Sequence, residues 1–291
     1  MPYTGQPKGP SHYLGGLSKY LIAGANLGSV FYVDGCAGSD DNTGLVPSSP
    51  LLTIAAALAM CTNDLNDTIV VLDYYNLESD LAVTINKSKV TLVGSEGGSR
   101  NRSWTCINAT ADTACFIVAA NDVRIHQFHF DAGDNHAGIE FSGAKCRIGI
   151  YDCDFGTGKH GILSSPGGVA FNLDIVNNFF CQALTAQSIY INDDPAFFSI
   201  VGNILDQPQG VGIEVVQGGG GQVRNNVISL PSNTAGAAIT LGASVYRCIV
   251  DGNHANYGDT EMGLIPYTDN AAAGQNHWML NYKGITATMP N

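Results

Sequence analysis

Carboxylates, histidines and thiols are the side chains of this chain that could do chemistry, and their spacing says which chemistry. Glu140 and Glu214 each follow an isoleucine, Ile139 and Ile213. Two carboxylates on one face are what glycoside hydrolysis requires, provided they lie about 5–10 Å apart. His129 and Asp154 occupy matching places in successive units of the chain's repeat. They could form a His–carboxylate couple, for proton transfer or as a plain surface hydrogen bond. The run GSDDNTG at residues 38–44 offers oxygen ligands, but it lacks the spacing and terminal Glu of a calcium-binding EF-hand loop and reads as a turn. Eight cysteines (Cys36, Cys61, Cys106, Cys115, Cys146, Cys153, Cys181 and Cys248) include no closely spaced pair. The sequence therefore predicts free, mostly buried thiols, no metal site and no cofactor.

What these groups can do depends on the elements that hold them. Across 291 residues, 45% are hydrophobic and only 13% charged, and there are 35 glycines. That is the composition of a turn-rich all-β protein with most of its sheet surface buried. A net charge of −12 without a Lys/Arg cluster excludes a nucleic-acid partner, since phosphates need cations to neutralise them. No long apolar run offers a membrane span. The opening MPYTGQPKGPSHYLGG has no basic start before an apolar core, so assembly in a cytosol is expected.

A repeat organises the chain over its second half. Phe128, Cys153, Asn178, Asn203, Asn226 and Asn253 recur with a mean period of about 25 residues, within the range of stacked-repeat architectures. Three positions before them stand Ile125, Ile150, Ile175, Ile200, Val223 and Val250, and two after stand Phe130, Phe155, Phe180, Leu205, Ile228 and Ala255. A second column, Ile139, Ile162, Ile189, Ile213, Ile239 and Leu264, keeps the same mean period. A unit of this size cannot bury its own hydrophobic face and must stack on its neighbours. Leucine-rich motifs and helical periodicity are both missing, so the units are parallel β coils with equivalent residues about 4.8 Å apart.

That geometry sorts the candidates. Glu140 and Glu214 fall three coils apart, roughly 14 Å, too far for a glycosidase pair. His129 and Asp154 become neighbours, as do Arg224 and Asp251, which should form a salt bridge. Asn178, Asn203, Asn226 and Asn253 form a ladder at a tight bend, where asparagine tolerates left-handed backbone and stacked amides can bond along the axis. Alternation turns Val176, Phe179, Val201, Ile204 and Val227 outward as an apolar strip. Such a strip marks an interface, unless a loop of the chain covers it.

The remaining segments frame the coils. Residues 1–28 read as an extended arm, with Tyr3, Tyr13 and Tyr20 available to dock on a partner. Residues 29–66 hold a strand, the GSDDNTG loop and a helix within SSPLLTIAAALAMCT. Ser48 or Ser49 is the expected cap, Pro50 the first-turn residue, and Leu51, Ile54, Ala55 and Leu58 the apolar stripe. This helix should lid the first coil, whose open edge would otherwise invite aggregation. Residues 67–268 form the β-helix and 269–291 a tail or cap.

The segments VFYVDG, GSDDNTG, SSPLLTIAAALA and DTIVVL, followed by the coils IVNNFF, IVGNIL and VRNNVI, resemble the pectate-lyase-like parallel β-helix superfamily. The resemblance covers roughly residues 30–265. It implies an all-β, single-stranded, right-handed parallel β-helix, and a function among polysaccharide lyases, glycoside hydrolases, phage tailspikes and non-catalytic virion proteins. The galacturonan hydrolases of that superfamily carry NTD, DD, GHG and RIK motifs on successive coils. Asp193–Asp194 and Lys159–His160–Gly161 resemble two of these in reversed order, and NTD and RIK are absent. If the protein is an enzyme, His160, Asp193 and Asp194 are the residues this resemblance implies. Its lyases join an acidic calcium site to an Arg or Lys base, and the chain has only Arg100, Arg102, Arg124, Arg147, Arg224 and Arg247.

The expected function is structural. The sequence predicts a homotrimeric capsid decoration (cement) protein or short spike on the virion surface of a bacteriophage. The strip would close the trimer, and the arm would dock on a major capsid or other virion protein. The alternatives are a tailspike-like lyase or hydrolase acting on a surface polysaccharide, and a non-catalytic glycan-binding adhesin.

Overall fold

The computed structural model describes residues 28–72, 75–77, 82–95, 105–109, 112–143, 145–230, 237–257, 266–272, 274–283 and 286–288. The predicted arm with Tyr3, Tyr13 and Tyr20, and Leu264 of the second column, lie outside the described residues. Each turn of the chain lays down three short strands, and each strand pairs in parallel with its counterpart in the next turn, as the repeat requires.

The first sheet stacks Val30–Val33, Thr68–Val71, Thr91–Gly94, Arg124–His126, Lys145–Tyr151, Val169–Val176, Ala196–Val201, Gln222–Arg224, Ile249–Asp251 and His277–Trp278. The second runs from Tyr75–Leu77 and Thr105–Ala109 through Phe128–Asp131, Asp154–Thr157, Phe179–Phe180, Ile204–Asp206, Val227–Leu230 and His254–Tyr257 to Asn281–Lys283. The third runs from Val83–Ile85 through Phe116–Val118, Ala137–Phe141, His160–Ser164, Ile189–Ile191, Ile213–Gly219 and Ile239–Tyr246 to Tyr267–Asp269. Parallel pairing thus begins at Val30 and reaches Lys283, beyond the 67–268 span expected for the β-helix. Thr286–Thr288 then folds back antiparallel on Asn281–Lys283 and covers that edge of the second sheet.

Alternation along each strand sends every second side chain inward. Ile125, Ile150, Ile175, Ile200, Val223 and Val250 are in register and buried, and the column ends on Trp278. Ile139, Ile162, Ile189, Ile213 and Ile239 form the inner column of the third sheet, which continues to Tyr267 rather than Leu264. Phe130, Phe155 and Phe180 stack face to face inside the second sheet, with centroids 5.2 and 4.7 Å apart, and Leu205 and Ile228 continue the line.

The bend between the first and second sheets needs one left-handed residue per turn. Gln127 (φ 62), Asp152 (φ 53), Asn177 (φ 59), Gly202 (φ 69), Asn225 (φ 56) and Gly252 (φ 66) supply it. The sequence reading placed that conformation on the ladder asparagines, but it belongs to the residue before each. The asparagines themselves point inward, where Asn178, Asn203, Asn226 and Asn253 are buried. The Oδ1 of Asn203 accepts from the backbone N–H and the Nδ2 of Asn178 at 2.9 and 3.0 Å, while its own Nδ2 donates to Ile175 O at 2.9 Å. The pattern repeats at Asn226 and Asn253 and gains a further rung at Asn281.

Helix α1 spans Ile54–Met60, starting later than Ser48 and Pro50 suggested. Leu51 is held in a bridge to Val33, its N–H donating to Tyr32 O at 2.8 Å, so the helix cannot begin before it. Thr53 is the cap, its hydroxyl accepting from Ala56 N–H at 3.0 Å. Asp40 of the GSDDNTG loop accepts from Leu52 N–H, Thr53 N–H and the Thr53 hydroxyl, so this acid braces the helix start. Ile54, Ala57 and Leu58 are buried over the first turn, whereas Ala55 faces solvent.

Candidate functional site

The outward positions of the second sheet form one ladder: Cys106, His129, Asp154, Phe179, Ile204, Val227, His254 and Tyr282. It begins polar and turns apolar, giving two distinct surfaces on one face of the rod.

The apolar surface is the strip read from the sequence. Ile204 and Val227 are 49% and 43% exposed, Phe179 is half-buried beside them, and Val176 and Val201 flank them across the bend. The last turn adds exposed Met279 and Tyr282, which continue the Val176–Val201 and Phe179–Val227 columns, with exposed Leu280 at the bend between them. Sequence spacing missed these because an insertion before Trp278 makes the step from Val250 longer than the mean period. Between the two groups, Arg224 pairs with Asp251 at 2.8 Å.

The polar surface gathers His129, Asp131, Asp154 and Cys106. His129 Nδ1 lies 3.0 Å from Asp154 Oδ2, and Nε2 lies 3.2 Å from Asp131 Oδ2. Burial pulls the imidazole pKa down, but the hydrogen bonds to Asp131 and Asp154 outweigh it and lift it to about 9. The hydrogen bond from His129 in turn holds the Asp131 carboxyl below the usual carboxylate range. At neutral pH the group is an imidazolium clasped by carboxylates. The Cys106 thiol is pushed up to about 12 by burial and then by the charge of Asp131. A bulge between Phe155 and Thr157 turns Thr157 onto Asp131, and its hydroxyl donates to Oδ1 at 3.2 Å. Gly156 sits at the bulge, where a Cβ would collide with Asp131 Oδ1 and reach 2.9 Å from His129 Nε2. Sequence spacing paired His129 with Asp154; Asp131 shares the outward face of His129's own strand two residues on, and Cys106 joins them only through the register.

The other sequence candidates are not brought together. His160 is buried, its ring stacks on Tyr190 at 5.5 Å, and Nδ1 lies 3.2 Å from Gln187 O. Burial lowers its pKa, with the charge of Lys159 adding to the effect. Asp193 accepts from Gly167 N–H and Asp194 N–H at 3.1 and 3.0 Å, the work of a turn former. His160 opens its strand, and Asp193 follows the far end of the neighbouring one, roughly 20 Å along the sheet. His160, Asp193 and Asp194 therefore share no site. Glu140 and Glu214 are separated by the rungs of Leu163 and Tyr190. Glu140 is engaged by His136 at 3.1 Å and Glu214 by Gln187 at 2.7 Å.

The cysteines are free thiols; Cys61, Cys115, Cys153 and Cys248 are buried and Cys36 is exposed. No helix among the described residues is long and apolar enough to cross a membrane.

A third surface lies where the third sheet turns into the first. Phe171, Phe197 and Tyr246 are exposed there, with Phe171 and Phe197 edge to face at 5.4 Å. Phe197 holds a left-handed φ of 61°, and Gly220 lies against its ring.

No protein-family model matches the chain, and no curated protein matches it. Solved structures follow a similar path. A GH136 lacto-N-biosidase from Eubacterium ramulus is 10% identical with a TM-score of 0.45, over 88% of this chain and 68% of that one. A rhamnogalacturonan lyase is 11% identical with a TM-score of 0.46, over 87% of each chain. ORF18 of Geobacillus virus E2 is 14% identical with a TM-score of 0.44, over 92% of this chain and 63% of that one. At these identities and TM-scores the likenesses assign the chain neither a reaction nor a role.

Proposed function

We propose that this chain is a structural rod that trimerises side by side on the virion surface of a bacteriophage, as a capsid decoration protein or short spike. The apolar strip carries the reading. Phe179, Ile204 and Val227 occupy successive rungs, Val176 and Val201 flank them, and Met279, Leu280 and Tyr282 add to the same face. Full burial of each such side chain contributes on the order of 1.5–3 kcal/mol, while association costs about 4–15 kcal/mol. These side chains are already half-buried or more in the single chain, so each gains only part of that figure, and the exposed residues of the last turn are needed beside the five central ones. A closed ring of identical chains hides such a strip completely. The virion setting is what the sequence resemblance implies, with the arm bearing Tyr3, Tyr13 and Tyr20 as the tether to a capsid protein. Sedimentation of the full chain should give a trimer of about three times the 30.5 kDa protomer. Replacing Phe179 and Ile204 together with Asp should give a folded monomer. A wild-type monomer at micromolar concentration would overturn the reading.

The third surface favours a second reading, a glycan-binding adhesin. Exposed rings of Phe171, Phe197 and Tyr246 beside a glycine run offer flat faces on which sugar rings can stack, and the left-handed Phe197 is a strained residue of the kind found at binding sites. A panel of bacterial surface polysaccharides, with Phe197→Ala as control, separates the readings. Binding that this variant abolishes supports the adhesin.

A further inference from the structure

We infer that Cys106, His129 and Asp131 form a binding site for a divalent transition cation of the zinc type, with Asp154 orienting the imidazole. Cys106 Sγ, one imidazole nitrogen of His129 and a carboxylate oxygen of Asp131 all lie within 4.8 Å of one another. The His129 Nε2–Asp131 Oδ2 distance is 3.2 Å and the Cys106 Sγ–Asp131 Oδ2 distance 3.9 Å. Ligands at about 2.0–2.3 Å from a tetrahedral zinc are themselves about 3.3–3.6 Å apart. The His129–Asp131 and Cys106–Asp131 separations already stand close to edges of that tetrahedron, and the third pair lies within 4.8 Å.

The surroundings fit a metal better than a bare ion pair. Asp154 Oδ2 takes the Nδ1 side of His129 at 3.0 Å, which leaves Nε2 facing Asp131. A carboxylate behind a ligating imidazole is the usual support of such a site. Thr157 holds the other oxygen of Asp131 in the same way. Asp154 is buried, and its Oδ1 has no hydrogen-bond partner among the described residues. A cation beyond the imidazole keeps positive charge near this buried carboxylate once Nε2 has given up its proton. Gly156 keeps the space over His129 Nε2 and Asp131 open, where a β-carbon would intrude. His129 and Asp131 retain partial exposure, 23% and 31% for their side chains, so a fourth position faces solvent. Thiolate and imidazole donors select zinc-like ions over calcium or magnesium, which prefer all-oxygen sets. Binding releases the protons of Cys106 Sγ and His129 Nε2, and thiolate plus carboxylate balance the dication. Because the ligands come from adjacent turns, the ion would clamp Thr105–Ala109 to Phe128–Asp131.

The test uses the full chain, stripped with chelator, kept reduced and titrated with Co2+ alone. One equivalent should bind with a thiolate-to-cobalt charge-transfer band, and Zn2+ should displace it. Cys106→Ser should abolish the band, while Cys36→Ser should leave it unchanged. Asp154→Asn should keep the band but weaken binding by about 10–100-fold, the usual loss when such a supporting group is removed. Absence of the band in the wild-type chain overturns the proposal whatever the variants do, and so does its persistence in folded Cys106→Ser.

Discussion

At the scale of single residues, burial decides what a polar group can do, and two groups make this measurable. His160 is buried and stacked on Tyr190, and burial lowers its pKa. In the unfolded chain it titrates near the ordinary value of about 6.5. A folded pKa below the unfolded one contributes stability above pH of about 6.5, and that stability is lost as pH falls toward the folded pKa. Thermal melts from pH 7 to pH 5 should therefore fall more steeply for the wild type than for His160→Gln; parallel slopes would show that the imidazole remains free to protonate. Asn203 makes the opposite point, being neutral, buried and fully engaged. Asn203→Ala strands the backbone N–H of Asn178 and the carbonyl of Ile175. Each buried orphan costs about 1–3 kcal/mol, so urea unfolding should show a loss of about 2–5 kcal/mol. A loss below about 1 kcal/mol would mean that water replaces the amide.

At the scale of the elements, short strands owe their stability to stacking between turns. Phe155 lies between Phe130 and Phe180, nearly parallel to the latter at an interplanar angle of 5°. Phe155→Ala leaves a cavity that flanking backbone, tied into ladders on both sides, cannot collapse to fill. The expected cost is about 3–5 kcal/mol in denaturant unfolding, well above the roughly 0.5–1.5 kcal/mol typical of Ile→Val at a neighbouring rung. Equal costs for the two changes would place Phe155 at a site able to relax. Helix α1 shows a different control, because its start is set by the Leu51–Val33 bridge and by Asp40 rather than by the proline that looked like a first-turn residue.

At the scale of the whole molecule, net charge and the apolar strip work against each other. Each chain carries −12, so the proposed trimer would repel itself electrostatically while its strip would draw it together. The Debye length shrinks from about 10 Å at 0.1 M salt to about 3 Å at 1 M, which screens repulsion but not apolar contact. Association should therefore tighten as sodium chloride rises from about 0.05 to about 0.5 M, readable by sedimentation velocity. Weakening with salt would mean that ion pairs, not the strip, hold the copies together.

The sequence by itself determined the architecture. A steady repeat with two independent apolar columns dictates turns that bury their faces on one another, and the ladder of Asn178, Asn203, Asn226 and Asn253 and the outward set from Val176 to Val227 follow from alternation alone. Where the period slipped, the sequence was silent: Met279, Leu280 and Tyr282 join the strip only after a longer turn, and the second column passes to Tyr267. The sites were decided by tertiary structure. His160 and Asp193 sound like partners in one dimension, yet they sit at opposite ends of neighbouring strands. Asp131 follows His129 at i, i+2 on one strand face, but Cys106 meets them only because the register stacks Thr105–Ala109 on Phe128–Asp131, and a bulge at Gly156 leaves room. The physical reason is that periodicity fixes which face a side chain occupies, whereas distance within that face depends on register, bulges and turn length, which pairing between strands sets.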